Sequence, residues 1–138
     1  MKILFVCTGN TCRSPMAEAL YNKYAAEMNS TATASSAGLH TFCGLSASDN
    51  ALMAMEDYDI DLSRHRSRRV SEAMLPEFDY IVCMTAAHAE AMMSLYPQYA
   101  DKVACISEKD IPDPYGGSIY TYRRIAEEIW NAVRRLPV

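Results

Sequence analysis

The stretch KILFVCTGNTCRSPMAEAL, residues 2–20, runs from an apolar segment through a short polar loop into a helix start. KILFV (2–6) reads as a buried strand, because it is a short apolar run ended by turn-forming residues. SPMAEALYNKYAAEM (14–28) reads as a helix, with Ser14 as N-cap and Pro15 at the first helical position. Ala17, Leu20, Tyr21 and Tyr24 recur at helical spacing along it. A buried strand that feeds directly into an amphipathic helix is the first half of a βαβ unit, which commits the chain to a layered α/β architecture.

The rest of the sequence repeats the alternation. TATASSAG (31–38) suits a strand closed by Gly38, and SASDNALMAMEDYD (46–59) a helix capped by Ser46 or Ser48. HRSRRVSEAML (65–75) is a basic loop entering a short helix. FDYIVCMT (78–85) and KVACI (102–106) read as strands, and AAHAEAMMSLYP (86–97) as a helix stopped by Pro97. EKDIPDPYGGS (108–118) is a loop rich in acid, proline and glycine. A long amphipathic helix follows over 119–136, with Ile125, Ile129, Trp130 and Val133 on one stripe. The expectation is a parallel sheet covered on both faces. With no repeat, low-complexity tract or linker, it is one domain over residues 1–138. In such sheets ligands bind at the carboxyl ends of the strands, where the strand order reverses. The loop after the first strand, residues 7–14, is where that rule points.

Composition narrows the partners. A net charge of −4 argues against a dedicated nucleic-acid surface or an anionic-membrane surface. No apolar run approaches the roughly 18–20 residues that span a bilayer, and no signal peptide is recognisable at the start. The five cysteines (Cys7, Cys12, Cys43, Cys83, Cys105) form no paired spacing pattern, so reduced thiols in a cytoplasm are expected. No His/Cys/Asp cluster has metal-ligand spacing, and neither a metal nor a cofactor is expected.

Within the loop, Cys7 and Arg13 stand in a Cys-x5-Arg pattern. A strand-to-helix turn aims backbone N–H groups inward, and the helix N-terminus adds positive potential. The Arg13 guanidinium offers a planar fork that matches two phosphate oxygens. The same field favours the thiolate of a cysteine at its base. This combination suits binding a phosphate dianion and attacking its phosphorus with sulfur. Two blander readings share the pattern: a phosphate-binding loop without catalysis, and a strand-end cysteine that merely fills space. A Walker loop is excluded, because no Gly-Lys-Ser/Thr follows. Phosphoryl transfer to sulfur also needs an acid for the leaving group and then a base for water. Asp110 and Asp113 are the candidates, although an Asp before Pro is also an ordinary turn former.

VCTGNTCRSPMAEA resembles the signature of the low-molecular-weight protein tyrosine phosphatases. SAG (36–38), HRSRRV (65–70), FDYIVCMT (78–85) and DPYGG (113–117) follow in that family's order and spacing, so the resemblance covers nearly the whole chain. It implies a four-stranded parallel sheet flanked by helices, doubly wound like flavodoxin, and hydrolysis of phosphorylated protein side chains through a phospho-cysteine. It assigns Cys7 as nucleophile, Arg13 as phosphate clamp and Asp113 as general acid and then base. Gly116 and Gly117 would let the acid loop fold tightly over the pocket. The phosphate would dock on the backbone of Thr8, Gly9, Asn10, Thr11, Cys12 and Arg13. Asn10 would hold a strained loop through Ser36 and His65, for which a plain surface histidine is the other reading. Ser14 has two readings, helix cap and thiolate partner. Cys12 either pairs reversibly with Cys7 or is a small buried residue. Thr11 and Tyr115 would line the pocket mouth. Tyrosine phosphatases of this family carry an apolar Ile or Leu where this chain has Thr11. In this respect the chain is similar to the bacterial members that act on protein phosphoarginine, because a hydroxyl can hydrogen-bond a guanidinium. Phosphoarginine is therefore the expected substrate and phosphotyrosine the alternative. A remoter alternative, thioredoxin-coupled arsenate reduction, needs two further cysteines after the third strand. Cys83 is available for the first, but position 90 is Glu90. Nothing in the sequence sets the oligomeric state.

Overall fold

The computed structural model describes residues Met1–Val138. The elements run β1 (Lys2–Cys7), α1 (Arg13–Glu27), β2 (Thr33–Gly38), α2 (Asp49–Glu56), β3 (Tyr80–Cys83), α3 (Ala86–Leu95), β4 (Val103–Cys105) and α4 (Ile119–Val133). Two 3-10 segments, Glu72–Glu77 and Pro97–Lys102, precede β3 and β4. All four strands are parallel, in the order β2-β1-β3-β4. Every expected strand and helix is present. The 65–75 segment differs in form: residues 64–71 run as an irregular loop and the short helix is of 3-10 type.

The period-2 alternation of β1 explains the layering. Ile3, Phe5 and Cys7 face the core shared with α1, α2 and α4, through Met16, Leu20, Tyr21, Met55, Ile125 and Ile129. Leu4 and Val6 face the opposite core, with Leu75, Phe78 and Met92. Trp130 is half-buried and packs edge-on against Tyr24, with Tyr58 tilted on it. Burial on both faces is what makes β1 an uninterrupted apolar run.

Hydroxyl caps set three of the helix starts. Ser48, Thr85 and Ser118 accept from the N–H groups of Ala51, His88 and Thr121. The fourth start departs from expectation. Helix α1 begins at Arg13 with Cys12 in the N-cap position and no side-chain cap. Ser14 lies inside the first turn, and its hydroxyl is used by the loop before the helix, not by the helix itself. The orphan N–H groups of this first turn therefore remain free for a ligand.

The sheet order reverses beside β1, since β2 lies on one side of it and β3 on the other. The carboxyl ends of β1 and β3 thus open one crevice, with residue pairs Cys7↔Gly38 and Val6↔Cys83 at its floor. Gly38 is required there. A Cβ at this position would stand 2.7 Å from the Thr8 carbonyl oxygen, so any side chain would push the loop out of place.

Candidate active site

Residues 7–13, with Asp113 and Tyr115, line a pocket of about 230 Å³ at that crevice. Cys7 ends β1 and is buried. Its Sγ lies 2.9 Å from Ser14 Oγ and accepts the Asn10 N–H at 3.3 Å. Two hydrogen-bonding groups thus converge on the sulfur, the Ser14 hydroxyl and the Asn10 N–H. Ser14 is fully buried and does not line the pocket; its hydroxyl touches the Cys7 sulfur.

Asn10 is the keystone of the loop. Its φ of 56° lies in the left-handed region, where asparagine is among the tolerated residues. The side-chain amide donates to Ser14 Oγ at 2.8 Å and to Ser36 Oγ at 2.9 Å. The amide oxygen accepts the Arg68 backbone N–H at 2.9 Å, and the Asn10 carbonyl accepts from His65 Nε2 at 2.7 Å. Every polar atom of this fully buried residue is therefore occupied, and the loop is held from α1, β2 and the basic loop at once. Ser36 and His65, both expected beside Asn10, are brought to it.

Arg13 is buried at the start of α1. Its Nη1 donates to the Ile111 carbonyl at 3.0 Å, which fixes the plane of the guanidinium. Its Nη2 faces Asp113 Oδ2 at 3.7 Å across the pocket. Asp113 is half exposed, and its other oxygen accepts the Tyr115 N–H at 3.1 Å in a local Asx turn. That turn leaves Oδ2 toward the pocket. Asp110 accepts the Ala86 N–H instead, at the start of α3, and does not line the pocket. Gly116 has a φ of 78°, and a Cβ on Gly117 would meet the Pro114 carbonyl at 2.9 Å, so both glycines are needed for the turn after Asp113. Tyr115 projects at the mouth with 81 % of its surface exposed.

Thr11 is half-buried on the pocket wall, and the nearest partner of its hydroxyl is Cys12 Sγ at 3.9 Å. Cys12 and Cys7 are both free thiols. Cys12 Sγ lies 3.3 Å from Ser48 Oγ and 3.2 Å from Tyr122 Oη. Burial and the hydrogen bond to Cys12 push Tyr122 up to about 12, so its hydroxyl stays protonated. Cys83 is buried at the end of β3, and burial pushes its thiol up to about 12 as well. A thiol held protonated in this way is a poor relay nucleophile.

Several participants escaped sequence reasoning. Glu18 accepts from Ser36 Oγ at 2.7 Å and completes the chain that starts at Cys7; its position four residues after Ser14, on the same helix face, was the available signal. Arg68 contributes both its N–H to Asn10 and its Nε to the Ser36 carbonyl at 3.0 Å. His88 Nε2 pairs with Thr8 Oγ1 at 2.8 Å, while its Nδ1 is buried without a partner. Burial, reinforced by the Arg13 charge, brings His88 down to about 4, so the ring is neutral near pH 7.

Comparison with known proteins agrees with this geometry. Residues 2–137 match the family described as low molecular weight phosphotyrosine protein phosphatase. The protein-arginine-phosphatase of Bacillus subtilis is 36% identical, with 99% of this chain and 94% of that protein aligned. The crystal structure of the low molecular weight protein tyrosine phosphatase from T. tengcongensis superposes with a TM-score of 0.94 at 38% identity, covering 97% of this chain and 95% of that one. A structure of the YwlE arginine phosphatase, a C7S mutant with a phosphorylated active site serine, superposes at 0.93 with 35% identity over 97% of this chain and 91% of its own. The chain belongs to the low molecular weight phosphotyrosine protein phosphatase family, and is a cysteine-dependent protein phosphatase.

Proposed function

We propose that this phosphatase acts on phosphoarginine side chains of proteins. The observation that carries the substrate reading is Thr11. A hydroxyl without a close partner stands on the pocket wall where a flat phenyl ring would need an apolar surface. That hydroxyl can accept from a guanidinium N–H, and Asp113 Oδ2 lies across the pocket on the side of the leaving nitrogen. The likeness to the arginine phosphatase of Bacillus subtilis supports this reading. The T. tengcongensis relative is named for tyrosine, so overall similarity does not choose between the two substrates. Exposed Tyr115 favours the second reading, phosphotyrosine, because its ring can stack on a phenyl group.

In the proposed reaction the phosphoryl oxygens dock on the N–H groups of residues 8–13 and on Arg13. The Cys7 thiolate forms a bond to phosphorus while the bond to the leaving nitrogen breaks. Asp113 gives its proton to that nitrogen, so the arginine side chain leaves as the guanidinium cation. Asp113, now ionised, accepts a proton from water as the water oxygen attacks phosphorus. The sulfur–phosphorus bond breaks, and phosphate and the thiolate are restored. The charge that develops in both steps lies on oxygens already faced by the cradle, which is the main source of rate. Residues 1–138 act as one catalytic unit, and the cytoplasm supplies the reducing conditions that keep Cys7 a thiol.

The test compares phosphate release from a phosphoarginine protein and a matched phosphotyrosine peptide, using wild type and Thr11→Ile. Wild type is expected to prefer phosphoarginine, and the variant to shift toward phosphotyrosine. A wild-type preference for phosphotyrosine that Thr11→Ile barely changes would overturn the arginine reading.

A further inference from the structure

The basic segment RHRSRR, residues 64–69, holds more charge than the catalytic loop uses. His65 and Arg68 are tied to Asn10 and Ser36, but Arg64 and Arg66 are not. Arg64, His65, Arg66 and Arg68 line, with Glu18, Ser35 and Ser36, a pocket of about 300 Å³ that shares no residue with the phosphate pocket. No apolar residue lines it. None of the three guanidinium groups has a carboxylate within salt-bridge distance; the ion pairs of the molecule are Arg13–Asp113, Lys23–Glu27 and Arg123–Asp57. The acid in the pocket, Glu18, has one oxygen engaged by Ser36. Asp61, held in its own turn with Ser63, feels the Arg64 charge from outside the pocket. Arg66 donates only to the Ser63 and His65 carbonyls, and Arg68 Nε only to the Ser36 carbonyl. Most of the guanidinium donors have no hydrogen-bond partner within the chain.

Three unpaired guanidinium groups within five residues repel one another, and holding them around one cavity costs free energy that a bound polyanion would return. Arginine forks suit phosphate oxygens bidentately. The absence of apolar lining leaves nothing to grip a base or an acyl chain. We propose that this pocket is a second anion site, for a multiply charged phosphate group, and that it is coupled to catalysis through Asn10. The proposal rests on the reading of residues 7–13 as the phosphate cradle. Its ligand is either a free polyphosphate group or a second phosphoryl group on the same substrate protein.

The coupling follows from the wiring. Arg68 carries both a pocket guanidinium and the N–H that holds the Asn10 amide oxygen, and His65 holds the Asn10 carbonyl. An anion that gathers Arg64, Arg66 and Arg68 stiffens residues 64–68. It thereby stiffens the loop whose shape sets the oxyanion cradle. The coupling is therefore positive and reciprocal: an oxyanion in the catalytic pocket tightens the second site, and the reverse. A several-fold change in affinity is expected, at the low end of ordinary allosteric coupling.

The probe is inorganic pyrophosphate, titrated calorimetrically into the full chain with the catalytic pocket saturated by vanadate. One further equivalent is expected to bind, with the Asn10 side-chain amide resonances shifting as it does. The double variant Arg64→Glu, Arg66→Glu is expected to keep wild-type turnover of an aryl phosphate and to lose this binding by more than tenfold, together with the Asn10 shift. Binding that survives the charge reversal, or pyrophosphate that only displaces vanadate, would overturn the proposal. Failure of vanadate itself to bind would instead sink the reading of the catalytic cradle. The charge-reversal comparison with pyrophosphate alone would then still decide the second site. A peptide carrying two phosphoryl groups, compared with one carrying a single group, separates the sources. Preference for the doubly modified peptide in wild type and not in the variant assigns the site to substrate. Equal turnover of the two peptides, with pyrophosphate bound, assigns it to a free phosphate ligand.

Discussion

The phosphate pocket is built from two loops held in opposite ways. Residues 8–12 are locked from beneath: Asn10 alone is bonded to Ser14, Ser36, His65 and Arg68, and is itself fully buried. The loop bearing Asp113 lies on the surface, fixed by an Asx turn, two glycines and the bond from Arg13 to Ile111. The contrast separates two tasks. Stabilising a transferring phosphoryl group needs donors that do not reorganise during the reaction. Delivering a proton to different leaving groups, and then taking one from water, suits a carboxylate at a mouth that can adjust. On the proposed function, the rigid half recognises phosphate and the exposed half, with Thr11 on the facing wall, recognises what the phosphate is attached to.

The largest expected effect falls at the base of the rigid half. Cys7→Ser should lower turnover by roughly 10⁴-fold or more, because the nucleophile is removed while the cradle remains. Calorimetry should still detect phosphate binding to the variant. Substitutions in the two loops then separate the tasks. Asp113→Ala should lower kcat by about 10²–10⁴-fold and leave the thermal midpoint nearly unchanged, because the side chain is half exposed. Asn10→Ala should lower kcat/KM and also destabilise the fold by about 2–4 kcal/mol, since it strands the buried partners of the amide. An Asn10 variant that loses activity with no loss of stability, or an Asp113 variant that unfolds, would erase the distinction between the loops.

Acid should reveal the rigid half as well. His88 ordinarily titrates near 6.5 but stands at about 4 in the folded chain. Between these values the unfolded state binds more protons, so stability is full above about pH 6.5 and is lost as pH falls toward 4. The contribution of this group is on the order of 3 kcal/mol at full effect, at 1.36 kcal/mol per pKa unit. His88→Gln should flatten that part of the pH–stability curve in chemical denaturation; an unchanged slope would remove His88 as its cause. The smallest effect belongs to the exposed mouth. Tyr115→Ala should change kcat/KM by less than about tenfold, because an exposed aromatic gives little binding energy on truncation.

How much of this was legible in the sequence follows the same division. The strands and helices could be read because β1 is a short uninterrupted apolar run and α4 carries a clean helical periodicity, and the crevice followed from the alternation of strands and helices. Cys7, Arg13 and Asp113 were visible as a pattern. What that pattern could not supply was contact across the chain. Ser14 has the spelling of a helix cap, yet its hydroxyl serves Cys7 and Asn10 because the loop ahead of it turns back over the helix start. Arg68 and His88 act through residues 58 and 80 positions away, which no local spacing reveals. Among the basic residues of the 65–69 segment, sequence alone could not say which ones face the loop and which face outward.

The most direct test of the account is to quench the reaction with acid during turnover of a phosphoarginine protein by the Asp113→Ala variant, and to map phosphoryl mass by peptide analysis. One phosphoryl group is expected on the peptide containing Cys7, formed before phosphate release and absent from Cys7→Ser. Phosphate released at the same slow rate with no covalent label, or a label on Cys12 instead, would contradict it.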